Sequence, residues 1–304
     1  AGDLHANLLA GLPNCARIGF TGTPIIMGDK KRTHEIFGEF IDRYTIKEAE
    51  ADGATVPVLY EGRTANGAVK DGASLDELFE DLFRQHSQEE LEAIKNKYAT
   101  KGHIFDAPAL IADKARDILR HYVTNILPNG YKAQVVAYSR LAAIRYFEAL
   151  RAARDELLAE ANALSPVDKA LDDEALCQRP VSVQAVVQAW RYRETLTRIE
   201  FAPIISGSNN DDPAWKQWTD GAAHEQLIKR FKKPLFLPSG KEAKPEKTDP
   251  LAFLVVKSML LTGFDAPIEG VMYLDRPIRE AELLQAIARV NRTGFGKRCG
   301  IVVD

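Results

Sequence analysis

From Tyr131 to Asp304 the chain alternates two hydrophobic patterns: short runs apolar at nearly every position, and longer segments whose apolar residues recur every three or four positions. The first is the signature of strands buried on both faces, the second of amphipathic helices. Tyr131 to Arg140 predicts a strand that delivers Ser139 and Arg140 to the start of a helix over Leu141 to Leu150, which continues to Leu164 and ends at Ser165-Pro166. Ile199 to Ser206 predicts another strand, emptying into the turn-rich stretch Gly207 to Pro213. Asp249 to Lys257 and Val271 to Asp275 read as two more core strands. Thr55 to Tyr60 predicts an early strand, and Pro57 suits an edge position because proline cannot donate to a ladder. Ala107 to Leu127, stopped by Pro128-Asn-Gly, and Val181 to Thr197 predict further helices. Leu75 to Tyr98 reads as two acidic amphipathic helices in an insertion, with Asp76 and Glu77 on a solvated face. Lys232 to Lys247, rich in lysine, proline and glycine, predicts an exposed loop.

Chemistry concentrates near the C-terminus. In Gln285-Ala-Ile-Ala-Arg289-Val-Asn-Arg292 the spacing predicts a helix with the glutamine and both arginines on one face. Two permanently charged forks aimed at one small target suit the spreading negative charge of a phosphoryl group in transfer. Just upstream, Thr262-Gly263-Phe264-Asp265 follows a predicted strand. Gly263 lets backbone approach a phosphate closely, Thr262 offers a hydroxyl and an amide, and Asp265 accepts from a ribose hydroxyl or orients an arginine. Near the front, Cys15 to Phe20 leads into Thr21-Gly22-Thr23-Pro24, a strand ending in hydroxyl-bearing residues around a glycine. Ser139 and Arg140, at a helix start with free N–H groups, suit a phosphate oxygen.

Taken in order, these segments resemble the motifs of superfamily-2 helicases and translocases. Thr21 to Pro24 looks like motif III, Val135 to Arg140 like motif IV, Thr262 to Asp265 like motif V and Gln285 to Arg292 like motif VI. Within that superfamily the pattern is most similar to the restriction (R, motor) subunit of type I restriction-modification enzymes. That similarity rests on Leu260 to Pro267, the Gln285 to Arg292 ending, and Tyr44-Thr-Ile-Lys-Glu-Ala49 with Asp52-Gly53 and Pro57. The resemblance implies an α/β fold: a RecA-like parallel sheet with helices on both faces, forming a second motor lobe over residues 41–304. Residues 1–40 would be the end of the first lobe. It implies ATP and Mg²⁺ as cofactors, Arg289 and Arg292 as catalytic arginines, and Gln285, Asp265 and Gly263 as nucleotide-side residues. Thr262, Ser139 and Arg140 would contact the DNA backbone, and Thr21, Gly22 and Thr23 would couple hydrolysis to strand contact. The implied partners are double-stranded DNA and the methylation and specificity subunits of the restriction complex. The same motifs fit another superfamily-2 helicase or remodeller, and the helices from Leu75 to Thr197 fit a docking module for a methylation and specificity core.

The 304 residues contain no Gly-x-x-x-x-Gly-Lys-Ser/Thr loop; Gly296-Lys297 is followed by Arg298. The acidic Asp-Glu-Ala-His box of the family is likewise missing, and would fall just ahead of Gly2-Asp-Leu-His. The expectation is therefore a motor fragment that does not hydrolyse ATP by itself. Composition supports a globular chain, with 45% hydrophobic and 27% charged residues. Net charge of -3 and a pI near 6.1 argue against a protein that wraps nucleic acid in a general positive field. A translocase needs only local contacts, for which Lys101, Arg140 and Lys257 are candidates. No apolar run approaches membrane-spanning length and no signal core precedes the chain's first helix, so the cytoplasm is the default. Cys15, Cys177 and Cys299 are far apart, which argues against a disulfide framework or zinc site and predicts buried small hydrophobes. His34-Glu35 and His224-Glu225 lack a metalloprotease's second histidine, and Glu242-Ala-Lys244 is a chance acid-x-Lys triplet in a lysine-rich loop.

Overall fold

Six runs of predominantly β-branched and small apolar residues pair side by side into one sheet: β1 (Val58–Glu61), β2 (Lys132–Ala137), β3 (Glu200–Ile204), β4 (Leu251–Val256), β5 (Glu269–Asp275) and β6 (Gly300–Val303). All adjacent strands are parallel, in the order β1-β6-β5-β2-β4-β3. The computed structural model describes residues 7–8, 10–16, 18–20, 37–63, 106–209, 211–237, 247–278 and 280–304. Thr21, Gly22 and Thr23, His34-Glu35, the helices expected over Leu75 to Tyr98, Lys101, and Glu242 to Lys244 lie outside those residues. Pro57 does precede an edge strand, since among the described residues β1 pairs with β6 alone.

Among the described residues the main helices are α1 (Ile46–Ala51), α2 (Pro108–His121), α3 (Arg140–Ala163), α4 (Val181–Arg191), α5 (Arg193–Arg198), α6 (Gly221–Phe231) and α7 (Glu280–Val290), with several single turns between them. Parallel strands need covering on both faces, and this sheet has it. On one face Ile111, Ala115 and Leu119 of α2 and Ala143, Tyr146 and Leu150 of α3 pack with Val135, Phe253, Val271 and Tyr273. On the other, Phe231 of α6 and Ala286 and Val290 of α7 pack with Val136, Leu254, Met272 and Leu274, together with Leu261 and Phe264 from the β4–β5 connection. The α/β class and parallel sheet read from the sequence are therefore observed.

Several local readings change. The strand expected over Cys15 to Phe20 does not form among the described residues there, and Ile18 and Phe20 are exposed. The helix expected to run unbroken to Leu127 is α-helical only to His121 and continues as a π turn over Tyr122–Ile126 and a 3-10 turn over Leu127–Asn129. The widened turn buries Tyr122, Val123, Ile126 and Leu127 together and lets the Tyr122 hydroxyl donate to the Tyr131 carbonyl at 2.9 Å. The helix expected over Val181 to Thr197 breaks at Tyr192 into α4 and α5, and Arg193 spans the break by donating to the Trp190 carbonyl at 3.0 Å. The cysteines are not core residues: Cys15 and Cys177 are exposed, Cys299 is part-exposed, and all three are free. Cys177 ends a short helix, Asp173–Cys177, that buries only Leu176.

Candidate functional site

The connection from β4 to β5 carries no helix. Because the two strands run the same way, residues 257–268 must return from the carboxyl edge of the sheet to its amino edge. Leu261, Phe264 and Ala266 bury themselves in the apolar layer, so the residues between them, Thr262, Gly263 and Asp265, are turned outward. Two left-handed residues shape this arch, Leu260 at φ 67° and Gly263 at φ 68°. The leucine carries a steric cost of roughly 1–2 kcal/mol there, a strain of the kind that gathers at functional loops.

Helix α7 follows the same direction, from the carboxyl end of β5 to the amino edge where β6 begins. Its Arg289 reaches across to the arch: one guanidinium nitrogen donates to the Phe264 carbonyl, and Nε donates to the Gln285 carbonyl one turn back at 3.1 Å. Arg289 is only 9% exposed, and burial, with Arg292 close by, pushes its pKa down. The expectation that Gln285, Arg289 and Arg292 share one helical face needs correction at its last member. The helix stops at Val290, the Asn291 carbonyl accepts from Val56 N at 2.8 Å, and Arg292 forms an antiparallel bridge with Thr55. Pairing with this extended segment competes with another helical turn and wins. Arg292 is thereby held beyond the helix end with its side chain 43% exposed. Its Nε lies 3.7 Å from an Asp265 carboxylate oxygen, too far for a hydrogen bond, and has no hydrogen-bond partner among the described residues.

The bracing segment explains the Tyr44 to Gly53 signature. Thr45 and Glu48 form a reciprocal capping box at the start of α1, with Thr45 N donating to Glu48 at 2.6 Å and Glu48 N to the Thr45 hydroxyl at 3.3 Å. At the other end the Ala49 carbonyl accepts from Ala54 N and Thr55 N, which sets Thr55 and Val56 against Asn291 and Arg292. The sequence reading gave these residues no role, although Thr45-x-x-Glu48 is a legible cap.

Ser139 and Arg140 sit elsewhere, at the carboxyl edge. Ser139 caps α3, accepting from Ala142 N at 2.9 Å and donating to Asp106 at 2.5 Å. The Arg140 fork is filled by Asp211 at 2.6 and 2.7 Å and by the Ser206 carbonyl at 2.8 Å, and it lies over the Trp215 ring. Beside them Asp275, at the end of β5, accepts from Tyr146 at 2.7 Å and pairs with Lys114; burial raises its pKa and Lys114 opposes the rise. The candidate residues thus fall into two groups joined by the arch. Asp265, Arg289 and Arg292 meet toward the amino edge, Ser139 and Arg140 stand at the carboxyl edge, and Thr262 and Gly263 lie on the arch between. His224 has a structural role, its ring nitrogen 2.7 Å from the Trp218 carbonyl. Among the described residues no cluster of His, Cys, Asp or Glu is placed to hold a metal, and no helix is long and apolar enough to cross a membrane.

Comparison with known proteins gives two family matches, the SWI2/SNF2 ATPase over residues 1–92 and the type I restriction enzyme subunit R domain 3 over residues 208–304. The HindI type I restriction enzyme endonuclease subunit of Haemophilus influenzae is 28% identical over 298 residues, which is 96% of this chain and 23% of the relative. The MjaIXP endonuclease subunit of Methanocaldococcus jannaschii is 27% identical over 305 residues, 100% of this chain and 24% of the relative. The chain therefore spans about a quarter of the length of these curated relatives. A fragment of a type I restriction enzyme HsdR subunit from Vibrio vulnificus YJ016 shares the fold, with a TM-score of 0.53 and 18% identity over 98% of this chain and 41% of that one. Along nearly its whole length the chain is thus similar to type I restriction enzyme endonuclease subunits, its residues 1–92 matching the SWI2/SNF2 ATPase family and its residues 208–304 the subunit R domain 3 family.

Proposed function

We propose that this chain supplies the second motor lobe, and the end of the first, to an ATP-dependent DNA translocase within a type I restriction endonuclease. The observation that carries this reading is Arg292: a guanidinium whose buried Nε makes no hydrogen bond among the described residues, only a 3.7 Å ion pair with Asp265, held outside its helix near the Gly263 turn. A charged donor left without a hydrogen bond is costly unless an anion completes it. A triphosphate supplies that anion, together with the phosphoryl group whose transfer releases the energy. Mg²⁺ and the rest of the phosphates would be held by a Gly-Lys-Ser/Thr loop and acidic box contributed by sequence outside this chain.

In this reading Arg292 meets the γ-phosphoryl oxygens. Arg289 holds the arch through the Phe264 carbonyl and adds its charge from one turn back, Gln285 positions the arginines, and Asp265 orients Arg292 or accepts from the ribose. Gly263, at φ 68° with open space where a Cβ would stand, admits the close approach of a ligand to backbone. Thr262, Ser139 and Arg140 take the DNA backbone, and Thr21, Gly22 and Thr23 transmit strand contact to the nucleotide site. Partners are double-stranded DNA and the methylation and specificity subunits. Arg292→Ala in the full-length subunit is expected to lower DNA-stimulated ATP hydrolysis about a thousandfold or more while leaving the circular dichroism spectrum and melting temperature unchanged. Near-normal turnover rejects the role.

A further inference from the structure

Directly beneath the arch lies a carboxylate that no part of the reading above uses. Glu269, the first residue of β5, is fully buried, and neither of its carboxylate oxygens has a hydrogen-bond partner among the described residues. Its orientation follows from a bulge. Lys132 pairs with Glu269 but Ala133 pairs with Val271, so Gly270 is an extra residue on β5. Only glycine fits there, since a Cβ would stand 2.6 Å from the Tyr131 Cβ. Without the bulge, alternation would send Glu269 to the face of Val271 and Tyr273; with it, Glu269 shares the face of Met272 and Leu274, under α7 and the arch.

The charged groups facing it come from every element packed there. Arg289 of α7 and Lys297, in the segment after Arg292, both act on it electrostatically, and Lys132 stands opposite on β2 with its ammonium 5.5 Å from the Phe231 ring centroid. Asp265 on the arch and Arg292 act on Lys297 and Arg289 in turn. Lys297 does not satisfy the carboxylate: its ammonium donates to the backbone carbonyl of Glu269 at 2.7 Å. The neighbouring Gln134 side chain, on the face of Val136, also has both polar atoms buried and unpartnered. A methionine of similar volume would remove the Glu269 penalty altogether, so stability gives no account of this glutamate. A local rule broken this plainly, one layer below a strained loop and two arginines, points to function.

We propose that Glu269 is a positioning residue for hydrolysis, its buried carboxyl acting through space, without a hydrogen bond, on the Arg289 guanidinium that braces the Phe264 carbonyl, and so setting the spacing between Asp265 and Arg292. The inference rests on the nucleotide reading of the arginines. In the full-length subunit, Glu269→Met is expected to raise the melting temperature, to lower kcat for ATP at least tenfold, and to change KM for ATP less than twofold. Glu269→Gln, which keeps the size and polarity of the side chain without its charge, is expected to keep part of the turnover. Wild-type kcat is expected to rise as pH approaches 8, where the carboxyl gains its charge, and both variants to lose that limb. Combined with Arg289→Ala, Glu269→Met is expected to add little to the single-variant loss. Unchanged turnover in Glu269→Met, or a turnover loss accompanied by a lower melting temperature, overturns the proposal. The nucleotide reading fails separately: it falls if Arg292→Ala hydrolyses ATP normally, and it stands if Arg292→Ala is dead while Glu269→Met is fully active.

Discussion

At the scale of single residues the site is governed by what is buried without a partner. Removing a carboxylate from water without hydrogen bonds favours its neutral form, and Glu269 is pushed up to about 8. Lys297, buried beside it, is pushed down to about 8. The consequence for folding has a definite sign. A carboxyl whose folded pKa is raised binds its proton more tightly in the native state, so the protein loses stability as pH climbs from the usual carboxylate range near 4.5 toward 8. An amine whose folded pKa is lowered acts in the opposite sense and above that window, with stability returning from about 8 toward 10.5. The melting-temperature advantage of Glu269→Met over wild type is therefore expected to be smallest near pH 5 and to widen toward pH 8. The gain is of the order of an unsatisfied buried polar group, about 1–3 kcal/mol. Thermal melts of the two proteins at a series of pH values check this, and a gap that is constant with pH shows that Glu269 is ionised throughout.

At the scale of elements, the sequence spoke clearly where one force acts alone. Uninterrupted apolar runs became β2, β3, β4 and β5 because a strand covered on both faces has no solvent side to mark. Ser139 was readable as a helix start because a hydroxyl before an apolar-periodic stretch satisfies free N–H groups. What stayed hidden depends on contacts between distant segments. Spacing alone puts Arg292 on a helix face; only the bridge to Thr55 ends the helix before it. Glu269 looks like any surface glutamate until a bulge one residue later turns it inward. Arg140 carries the same lesson for its proposed role. Its fork is filled by Asp211, a carboxylate standing where a DNA phosphate would, and the hydrogen bond to Arg140 holds the Asp211 pKa below the usual range. A phosphate contact at Arg140 thus requires this pair to open. Asp211→Asn is expected to tighten DNA binding by the full-length subunit several-fold at low salt, an advantage that fades as salt screens the contact. Weaker binding in the variant would mean that Arg140 needs Asp211 for its geometry and does not exchange it for DNA.

At the scale of the whole molecule, the two groups of residues stand toward opposite edges of the sheet, and in the proposed reading neither works without a second lobe. Ser139 and Arg140 stand at the carboxyl edge of the sheet, Asp265 and Arg292 toward the amino edge, and the arch from Lys257 to Ile268 is the covalent path between them. An arginine raises the rate only by meeting charge that develops on a phosphoryl group held elsewhere, and these 304 residues contain neither a Gly-x-x-x-x-Gly-Lys-Ser/Thr loop nor an Asp-Glu-Ala-His box to hold one. In the proposed reading, DNA contact on one edge and nucleotide contact on the other would become useful only when a second lobe closes on both, so that the nucleotide state alters the grip on DNA. Purified residues 1–304 are accordingly expected to fold, with the mixed helix and strand signature of the sheet and its covering helices, and to show no ATP hydrolysis above background, with or without DNA. Restoring the preceding sequence is expected to restore turnover that Arg292→Ala again removes. A steady-state phosphate-release assay on the two proteins checks both halves. DNA-stimulated hydrolysis by the 304-residue chain alone would mean that the triphosphate is held by residues within it, and the division of labour between lobes would have to be abandoned.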